Sequence, residues 1–205
     1  MVNTVTDIST EEKILSAARE VFLQKGFAGA RMQDIADEAG INKALLHYYF
    51  RSKEKLFETI FREAFNKLIP HITDVFSSDL PFYDKIRAFT GAYITMAVEN
   101  PFIPMFVLNA MHSDPDNFQK LFGDIPKRVP ILLVKAEIKK AVDVGLIRPI
   151  EPLQLVMNML SLCLFPFIAR PMFQLVMNMS DIQFKKLMEQ RKTEVADFII
   201  QSIKK

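Results

Sequence analysis

Apolar residues recur three or four positions apart along almost the whole chain, which is the spacing of one helix face. No convincing segment alternates apolar and polar residues as a β-strand does. The first helical segment opens at Ser9, and Glu12 three residues later completes a capping-box pattern. Its apolar face ends before Gly26, a residue type that commonly closes helices. The pattern therefore predicts an all-α protein whose first helix begins at Ser9 and ends at Gly26.

Two shorter helices follow the first. Residues 31–40 place apolar side chains on one face and end at Gly40, and Asn42 is a suitable N-cap for a third helix over residues 43–50. Ser52 precedes a longer fourth helix in the same way. Two short helices joined by a glycine-containing turn are typical of a helix-turn-helix. The spacing predicts further helices at residues 53–77, 82–99, 101–112, 126–144, 152–169 and 181–203.

The third helix divides its side chains between two faces. Leu46, Tyr49 and Phe50 lie three or four positions apart, so they share a stripe. We expect its Leu46–Phe50 edge to pack on the first two helices and Tyr49 to lie at the boundary of the core. The second helix of a helix-turn-helix turns its exposed face to DNA. Side chains on that face reach phosphate oxygens, base edges and thymine methyl groups. A purely interior role stays open at this point, because helix pairs and aromatic runs are common in all-α proteins. The residues of the other face are Lys43, Ala44, Leu45, His47 and Tyr48.

Composition narrows the class of protein. The net charge of +2 says little about partners, but residues 41–55 carry four cations and one acid. Cys163 is the only cysteine, so the chain cannot form an intramolecular disulfide. A lack of disulfides is typical of proteins in a reducing compartment. The longest apolar stretch, residues 159–169, is shorter than the roughly 20 residues of a membrane-spanning helix, and no N-terminal apolar run resembles a secretion signal. We therefore expect a cytoplasmic protein with no membrane partner.

The first part of the chain resembles a known family. Residues 21–57 read VFLQKGFAGARMQDIADEAGINKALLHYYFRSKEKLF, and residues 9–57 as a whole resemble the N-terminal domain of the TetR family of bacterial transcriptional regulators. The resemblance implies a helix-turn-helix DNA-binding domain over residues 1–52, with a recognition helix at about 42–50, and a helical ligand-binding and dimerisation domain over residues 53–205. It also implies that these residues face double-stranded operator DNA: Arg31, Gln33, Lys43, Ala44, Leu45, His47, Tyr48, Tyr49 and Lys53.

A few positions depart from the usual family pattern. The family often has Gly, Thr and Tyr where this chain has Ala44, Leu45 and His47. A hydroxyl side chain often opens the second helix, where this chain has Arg31, and we expect the arginine to replace that contact by its charge. Lys53 is implied to pair with a phosphate from the start of the fourth helix. We expect the sequence preference of this protein to depend on Leu45 and His47.

The larger C-terminal part is rich in Phe and Met. Resemblance to the family implies that it forms a homodimer through its last two long helices and encloses a ligand cavity. We expect an apolar stripe on the final helix to form the dimer interface, although core packing within one chain gives the same pattern: Phe184, Leu187, Val195, Phe198 and Ile199. The residues that we expect to line the cavity, unless they simply fill the core, are Phe89, Tyr93, Met96, Phe106, Met159, Cys163 and Phe167.

These observations predict a ligand-responsive transcriptional regulator. We expect a homodimeric repressor that leaves its operator when a small apolar or aromatic effector binds the C-terminal cavity. Two alternatives stay open: a transcriptional activator of the same family, and a helical small-molecule carrier or enzyme that retains the N-terminal domain as a scaffold. Ser161 and Cys163 have no base nearby in sequence, the three histidines are widely spaced, and no glycine-rich phosphate loop is present. We therefore expect neither catalysis nor a metal or cofactor.

Overall fold

The computed structural model describes residues 9–113 and 115–205. Across these residues the regular secondary structure is helical, and the β-type pairing is limited to an isolated antiparallel bridge between Ile147 and Lys204. The all-α prediction is confirmed. The helices are α1 (Thr10–Gly29), α2 (Met32–Glu38), α3 (Lys43–Tyr49), α4 (Lys53–Ser77), α5 (Phe82–Glu99), α6 (Ile103–Ser113), α7 (Pro115–Phe122), α8 (Ile125–Arg128), α9 (Ile131–Asp143), α10 (Pro152–Ile168), α11 (Arg170–Val176) and α12 (Asp181–Ile203).

The chain divides into two compact units between Glu63 and Ala64. The first unit contains α1, α2, α3 and the first part of α4, and the second contains the rest of the described chain. Helix α4 contributes to both units because it begins at Lys53 and ends at Ser77. The domain boundary expected between residues 52 and 53 coincides with the start of α4, and this assignment of domains stays a prediction.

The first unit is held together by an apolar core. The capping box of α1 forms as predicted: the backbone N–H of Glu12 donates to Ser9 Oγ at 3.2 Å, and the N–H of Ser9 donates to Glu12 Oε2 at 3.0 Å. Full burial of one Ile, Leu or Phe side chain contributes about 1.5–3 kcal/mol. Helices α2 and α3 are therefore held in place by the burial of their own apolar residues in this core. Its members that are at most 1% exposed include Ile14, Ala18, Phe22, Ile35, Ala36, Leu46, Leu56, Phe57 and Ile60.

The second unit packs mainly around α5, α10 and α12. Helix α12 lies along α5, and α10 contacts α5, α6, α9 and α12. The N–H of Arg148 donates to the carbonyl of Ile203 at 2.9 Å, and its side-chain Nε donates to Ser202 O at 2.6 Å. The loop before α10 is thereby tied to the end of α12. Core side chains that are at most 1% exposed include Ile86, Ile94, Ala97, Ile138, Leu155, Met159, Cys163, Ala196, Ile199 and Ile203.

Some helix boundaries differ from the predicted ones. Gly26 adopts φ 65°, as a helix-closing glycine does, yet the chain then resumes a helical turn that ends at Gly29. The helix predicted over residues 126–144 is divided into α8 and α9, because Pro130 has no N–H to donate and restricts the residue before it. Helices α7 and α11 lie outside the predicted set. The proline that follows Arg170 lies in the first turn of α11, where its missing N–H costs no hydrogen bond within the helix.

Several helices of the second unit are rich in apolar residues. In residues 9–113 and 115–205, no single helix is both long and apolar enough to cross a membrane. Two pairs of consecutive helices, each bent at a break, together reach the length and hydropathy of a membrane span, by length and composition alone. They are α5 with α6, bent by 85°, and α10 with α11, bent by 63°.

Candidate nucleic-acid interface and C-terminal sites

The turn between α2 and α3 is built by a glycine and an asparagine. Gly40 has φ +66°, a left-handed conformation that glycine adopts without strain, and the N–H of Ile41 donates to Ala36 O at 3.0 Å across it. Asn42 caps α3, because its Oδ1 accepts a hydrogen bond from the N–H of Leu45 at 2.8 Å. The helix-turn-helix that the spacing predicts therefore has a sharp end to α2 and a defined start to α3.

Helix α3 has two buried anchors and a continuous exposed face. Leu46 is fully buried, and Phe50 at the C-cap is only 7% exposed. Tyr48, by contrast, is 82% exposed, and Tyr49, which sequence reasoning placed at the boundary of the core, is 41% exposed. The structure thus brings every predicted DNA-facing residue of α3 to the surface of the first unit: Lys43, Ala44, Leu45, His47, Tyr48 and Tyr49.

The ring side chains of this exposed face have local partners. The Tyr48 and Tyr49 rings meet edge to face, with centroids 5.5 Å apart and an interplanar angle of 86°. Nδ1 of His47 lies 3.2 Å from the carbonyl oxygen of Arg51, so in the Nδ1-protonated tautomer it donates there and leaves Nε2 as an acceptor. Helix α3, KALLHYY, contains no acid. A phosphate approaching this helix therefore meets no like charge on it.

The start of α2 carries two more predicted DNA contacts, Arg31 and Gln33, both exposed. The Asp34 carboxylate accepts the N–H of Arg31 at 3.0 Å, which satisfies a backbone donor that has no partner inside the helix. Gln33 Nε2 donates to Asp37 Oδ1 at 2.7 Å. Asp34 also pairs with Lys25 at 2.9 Å, and the hydrogen bond from this lysine is the main cause that lowers the pKa of Asp34. The Lys25–Asp34 pair joins the start of α2 to the end of α1.

Lys53, the remaining predicted DNA contact, is bonded within the first unit. Its Nζ donates to the carbonyl oxygen of Phe27 at 3.0 Å and to that of Ala30 at 3.3 Å. The same nitrogen lies 4.6 Å from the centroid of the Phe27 ring, in a cation–π contact. The side chain is half-buried. A phosphate contact by Lys53 stays a prediction, and sequence reasoning missed these carbonyl partners because they lie more than 20 residues away along the chain.

The residues predicted to line a ligand cavity are all in the interior of the second unit, at most 9% exposed. The rings of Phe89 and Tyr93 have centroids 4.7 Å apart. Burial raises the pKa of Tyr93 and of Cys163 to about 12, so the phenol and the thiol are neutral at pH 7. Their role in ligand binding stays a prediction. By helix, the predicted residues are Phe89, Tyr93 and Met96 of α5, Phe106 of α6, and Met159, Cys163 and Phe167 of α10.

An open cavity of about 530 Å³ lies elsewhere in the second unit, formed by the end of α4, the start of α5, α9 and the loop after α9. None of the predicted ligand residues lines it. Its wall contains Lys85, 4% exposed, which donates to Phe76 O at 3.1 Å and to Glu137 Oε2 at 2.6 Å. Sequence reasoning missed this ion pair. The available signal is that Lys85 falls on the apolar face of α5 between Phe82 and Phe89, a position that indicates a paired, buried lysine.

The predicted dimer residues of α12 divide into two groups. Phe184, Val195 and Ile199 are at most 4% exposed, because they belong to the buried face of α12. Leu187 and Phe198 are 42% and 65% exposed, and their separation of 11 residues, about three helical turns, puts them on one face. Helix α10, which contacts α12, adds exposed apolar residues that sequence reasoning missed: Leu153, Met157 and Phe165.

Helix α3 is short, is capped by Asn42, and is anchored by Leu46 and Phe50, with an exposed face that contains no acid. These features are typical of the second helix of a helix-turn-helix DNA-binding domain. The sequence profile of the family "Bacterial regulatory proteins, tetR family" matches residues 14–60. The HTH-type transcriptional regulator RutR of Escherichia coli (strain K12) is 30% identical over 151 residues, which cover 73% of this chain and 70% of RutR. The chain belongs to the TetR family of bacterial transcriptional regulators.

Solved structures show the same fold. The ketosteroid transcriptional regulator KstR2 of Mycobacterium tuberculosis superposes with a TM-score of 0.71 at 16% identity, covering 100% of this chain and 97% of that one. AibR, in complex with isovaleryl coenzyme A and operator DNA, gives a TM-score of 0.64 at 18% identity, with 78% and 86% covered. These likenesses support the predicted fold class, an N-terminal helix-turn-helix followed by a C-terminal helical domain.

Proposed function

We propose that the exposed face of α3 enters the major groove of operator DNA and reads its sequence. The observation that carries this proposal is the division of α3: Leu46 and Phe50 hold it from inside, and its other residues are exposed. Leu45 suits a thymine methyl group, and His47 and Tyr48 offer polar atoms to base edges or phosphate oxygens. The sequence preference of the protein then depends mainly on Leu45 and His47.

Some of the proposed DNA contacts are made to base edges and others to phosphates. Lys43 stands at the start of α3, where it reaches a phosphate or a guanine, and Ala44 permits close approach of the backbone. Tyr49 adds a ring at the edge of the interface. From the start of α2, Arg31 and Gln33 extend the contact to the neighbouring backbone. For Lys53 the family resemblance implies a phosphate contact.

We propose that two copies of the chain form a dimer through α10 and α12. One recognition helix contacts few base pairs, whereas a two-fold dimer reads two half-sites about 34–36 Å apart or a multiple of that spacing. Exposed apolar residues that line up on adjacent helices commonly mark a protein interface. The residues available for this contact are Leu187 and Phe198 of α12 with Leu153, Met157 and Phe165 of α10, supported from within by Phe184, Val195 and Ile199.

The effector that we propose is a small apolar or aromatic molecule bound among the interior residues of α5, α6 and α10. Those residues are aromatic or sulfur-containing, and the phenol of Tyr93 and the thiol of Cys163 are neutral there. The structural neighbour AibR, which is in complex with isovaleryl coenzyme A and operator DNA, supports a ligand that carries an apolar acyl group. Binding would act through α4, which both units share. A coupling free energy of about 1–3 kcal/mol lowers operator affinity by roughly 5- to 150-fold.

The protein then acts in the cytoplasm as a repressor, without catalysis of its own. A gel-shift assay with the DNA that flanks its gene, in the presence of excess random DNA, tests this function. We expect specific binding that weakens with salt and with an effector of the stated class. If no specific binding occurs with or without such ligands, the regulator is ruled out and the carrier or enzyme alternative gains support. Occupancy of the bound site by RNA polymerase separates the two roles, because a repressor excludes the polymerase and an activator recruits it.

A further inference from the structure

A side chain of α12 is bonded to the backbone of α10 at a proline. Pro166 has no N–H to donate to the carbonyl of Leu162, four residues before it. Arg191 of α12 supplies the missing donor, from Nε at 3.2 Å and from Nη2 at 3.0 Å. A guanidinium has five N–H groups, so these two bonds leave three of them unused. The position of Arg191 is therefore fixed against α10, and its capacity to bind an acid is retained.

The charge of Arg191 has no acidic partner in its own chain. Among the residues that the structure describes, neither Arg191 nor Glu194, three positions later, forms an ion pair. Lys192, by contrast, pairs with Glu189. Arg191 is half-buried and Glu194 is exposed. A charge that loses water on burial needs a partner, and a carboxylate suits a guanidinium best because it accepts two parallel N–H bonds.

The exposed stripe of α12 is complementary to its own reversed copy. At 100° per residue, Arg191, Glu194 and Phe198 all lie within about 40° of Leu187. The centre of the stripe falls between residues 192 and 193. Arg191 and Glu194 lie one residue outside this centre, and Leu187 and Phe198 lie five residues outside it. Reversal of the helix therefore exchanges the cation with the acid and one exposed apolar residue with the other.

We propose that α12 packs antiparallel against α12 of a second copy, about a two-fold axis near residues 192–193, so that Arg191 pairs with the partner's Glu194. Leu187 then meets the partner's Phe198, and the two-fold symmetry makes each contact twice. A parallel arrangement would place Arg191 against its own copy, so the charges also exclude that alternative. This inference rests on the proposed dimer and adds the register of its two chains.

Two charge reversals test the register: Arg191→Glu and Glu194→Arg. Either variant alone can form only a dimer in which like charges face each other twice. A mixture of the two variants allows a heterodimer in which both contacts join opposite charges. Sedimentation equilibrium measures the dissociation constants, and circular dichroism establishes that each chain is folded. The matched control is Glu189→Arg, because Glu189 is exposed on the same helix but lies about 140° from Glu194.

We expect the dissociation constant of each single variant to rise on the order of 100-fold, since like charges that face each other at an interface are strongly unfavourable. The mixture should return to within about tenfold of the wild type, and the control should stay within about threefold of it. If Glu194→Arg dimerises as tightly as the wild type, the acid that Arg191 pairs with is not on a second copy, and the proposal is overturned. A mixture of two folded variants that stays monomeric overturns it as well.

The two variants differ in what else they change. Arg191→Glu also removes the bonds to Leu162, whereas Glu194 forms no hydrogen bond or ion pair with another described residue through its side chain. Should Arg191→Glu fail to fold, Glu194→Arg alone decides: dissociation supports the pairing, and wild-type affinity refutes it. A wild type that stays monomeric at every concentration would instead refute the proposed dimer itself.

Discussion

Phe198 offers a quantitative test of the proposed dimer. Its side chain is 65% exposed on α12. A phenylalanine presents roughly 150–250 Å² in total, so about 100–160 Å² is available for a partner to cover, and this area is worth about 2.5–4 kcal/mol. The Phe198→Ala substitution keeps Cβ and should remove about 2–3 kcal/mol per subunit. A two-fold interface contains the residue twice, so the dimer loses about 4–6 kcal/mol and its dissociation constant rises roughly 10³- to 10⁴-fold.

Sedimentation equilibrium over a wide concentration range measures this change. The matched control is Ile182→Ala, because Ile182 is 83% exposed on the same helix but lies nearly opposite Phe198 at 100° per residue. The control should leave the dissociation constant within about threefold of the wild type, since it lies outside the proposed interface. A Phe198→Ala protein that dimerises as tightly as the wild type would place the dimer interface elsewhere, and so would an Ile182→Ala protein that dissociates.

Substitutions at three positions of the first unit test its local contacts. Asn42→Ala should lower the free energy of unfolding by about 1 kcal/mol in urea titrations, whereas Asn42→Gly should cost only a few tenths; equal losses would argue against the cap. Lys43→Ala should weaken binding about equally for all DNA sequences and lower the salt slope by about 0.9, and an unchanged slope would remove Lys43 from the phosphate contacts. The pKa of Asp34 lies below its ordinary value of 3.8 in the folded state, so its stabilising contribution is present above that value and is lost as the pH falls through the folded-state pKa. Lys25→Met should therefore reduce the loss of stability during acid titration, as followed by circular dichroism, and an unaltered acid limb would contradict the role of this pair.

The sequence predicts a helix well where an end carries a capping side chain. Ser9, Asn42 and Ser180 all accept backbone hydrogen bonds at the starts of α1, α3 and α12, where the spacing places those helices. The predicted helix boundaries are wrong where a local signal, a glycine or a proline, is compatible with two backbone outcomes. A glycine with positive φ interrupts α1 at Gly26 but does not end it, and Pro130 divides the helix predicted over residues 126–144. Spacing alone does not distinguish these outcomes, because packing in the folded protein decides them.

The sequence likewise predicts one part of the candidate site and not the other. The phase of α3 identifies its exposed residues correctly, because Leu46 and Phe50 are the anchors that the pattern predicts. The stripe on α12 is less informative, since an apolar residue looks the same whether it faces its own core or a partner. Ile199 turns out to be buried in its own chain and Phe198 exposed. The carbonyl partners of Lys53 depend on contacts between distant segments, which no local pattern contains.

The role that we propose for the exposed face of α3 is to read DNA sequence. The most direct measurement is the affinity for an operator selected from a random duplex library, compared between the wild type and the His47→Ala, Tyr48→Ala double variant at one salt concentration. Thermal melting of both proteins confirms that the fold is intact. We predict that the double variant loses affinity on the order of 100-fold for the operator and little for random DNA, as loss of base-edge contacts implies. Equal operator affinity of the two proteins would contradict this role of α3.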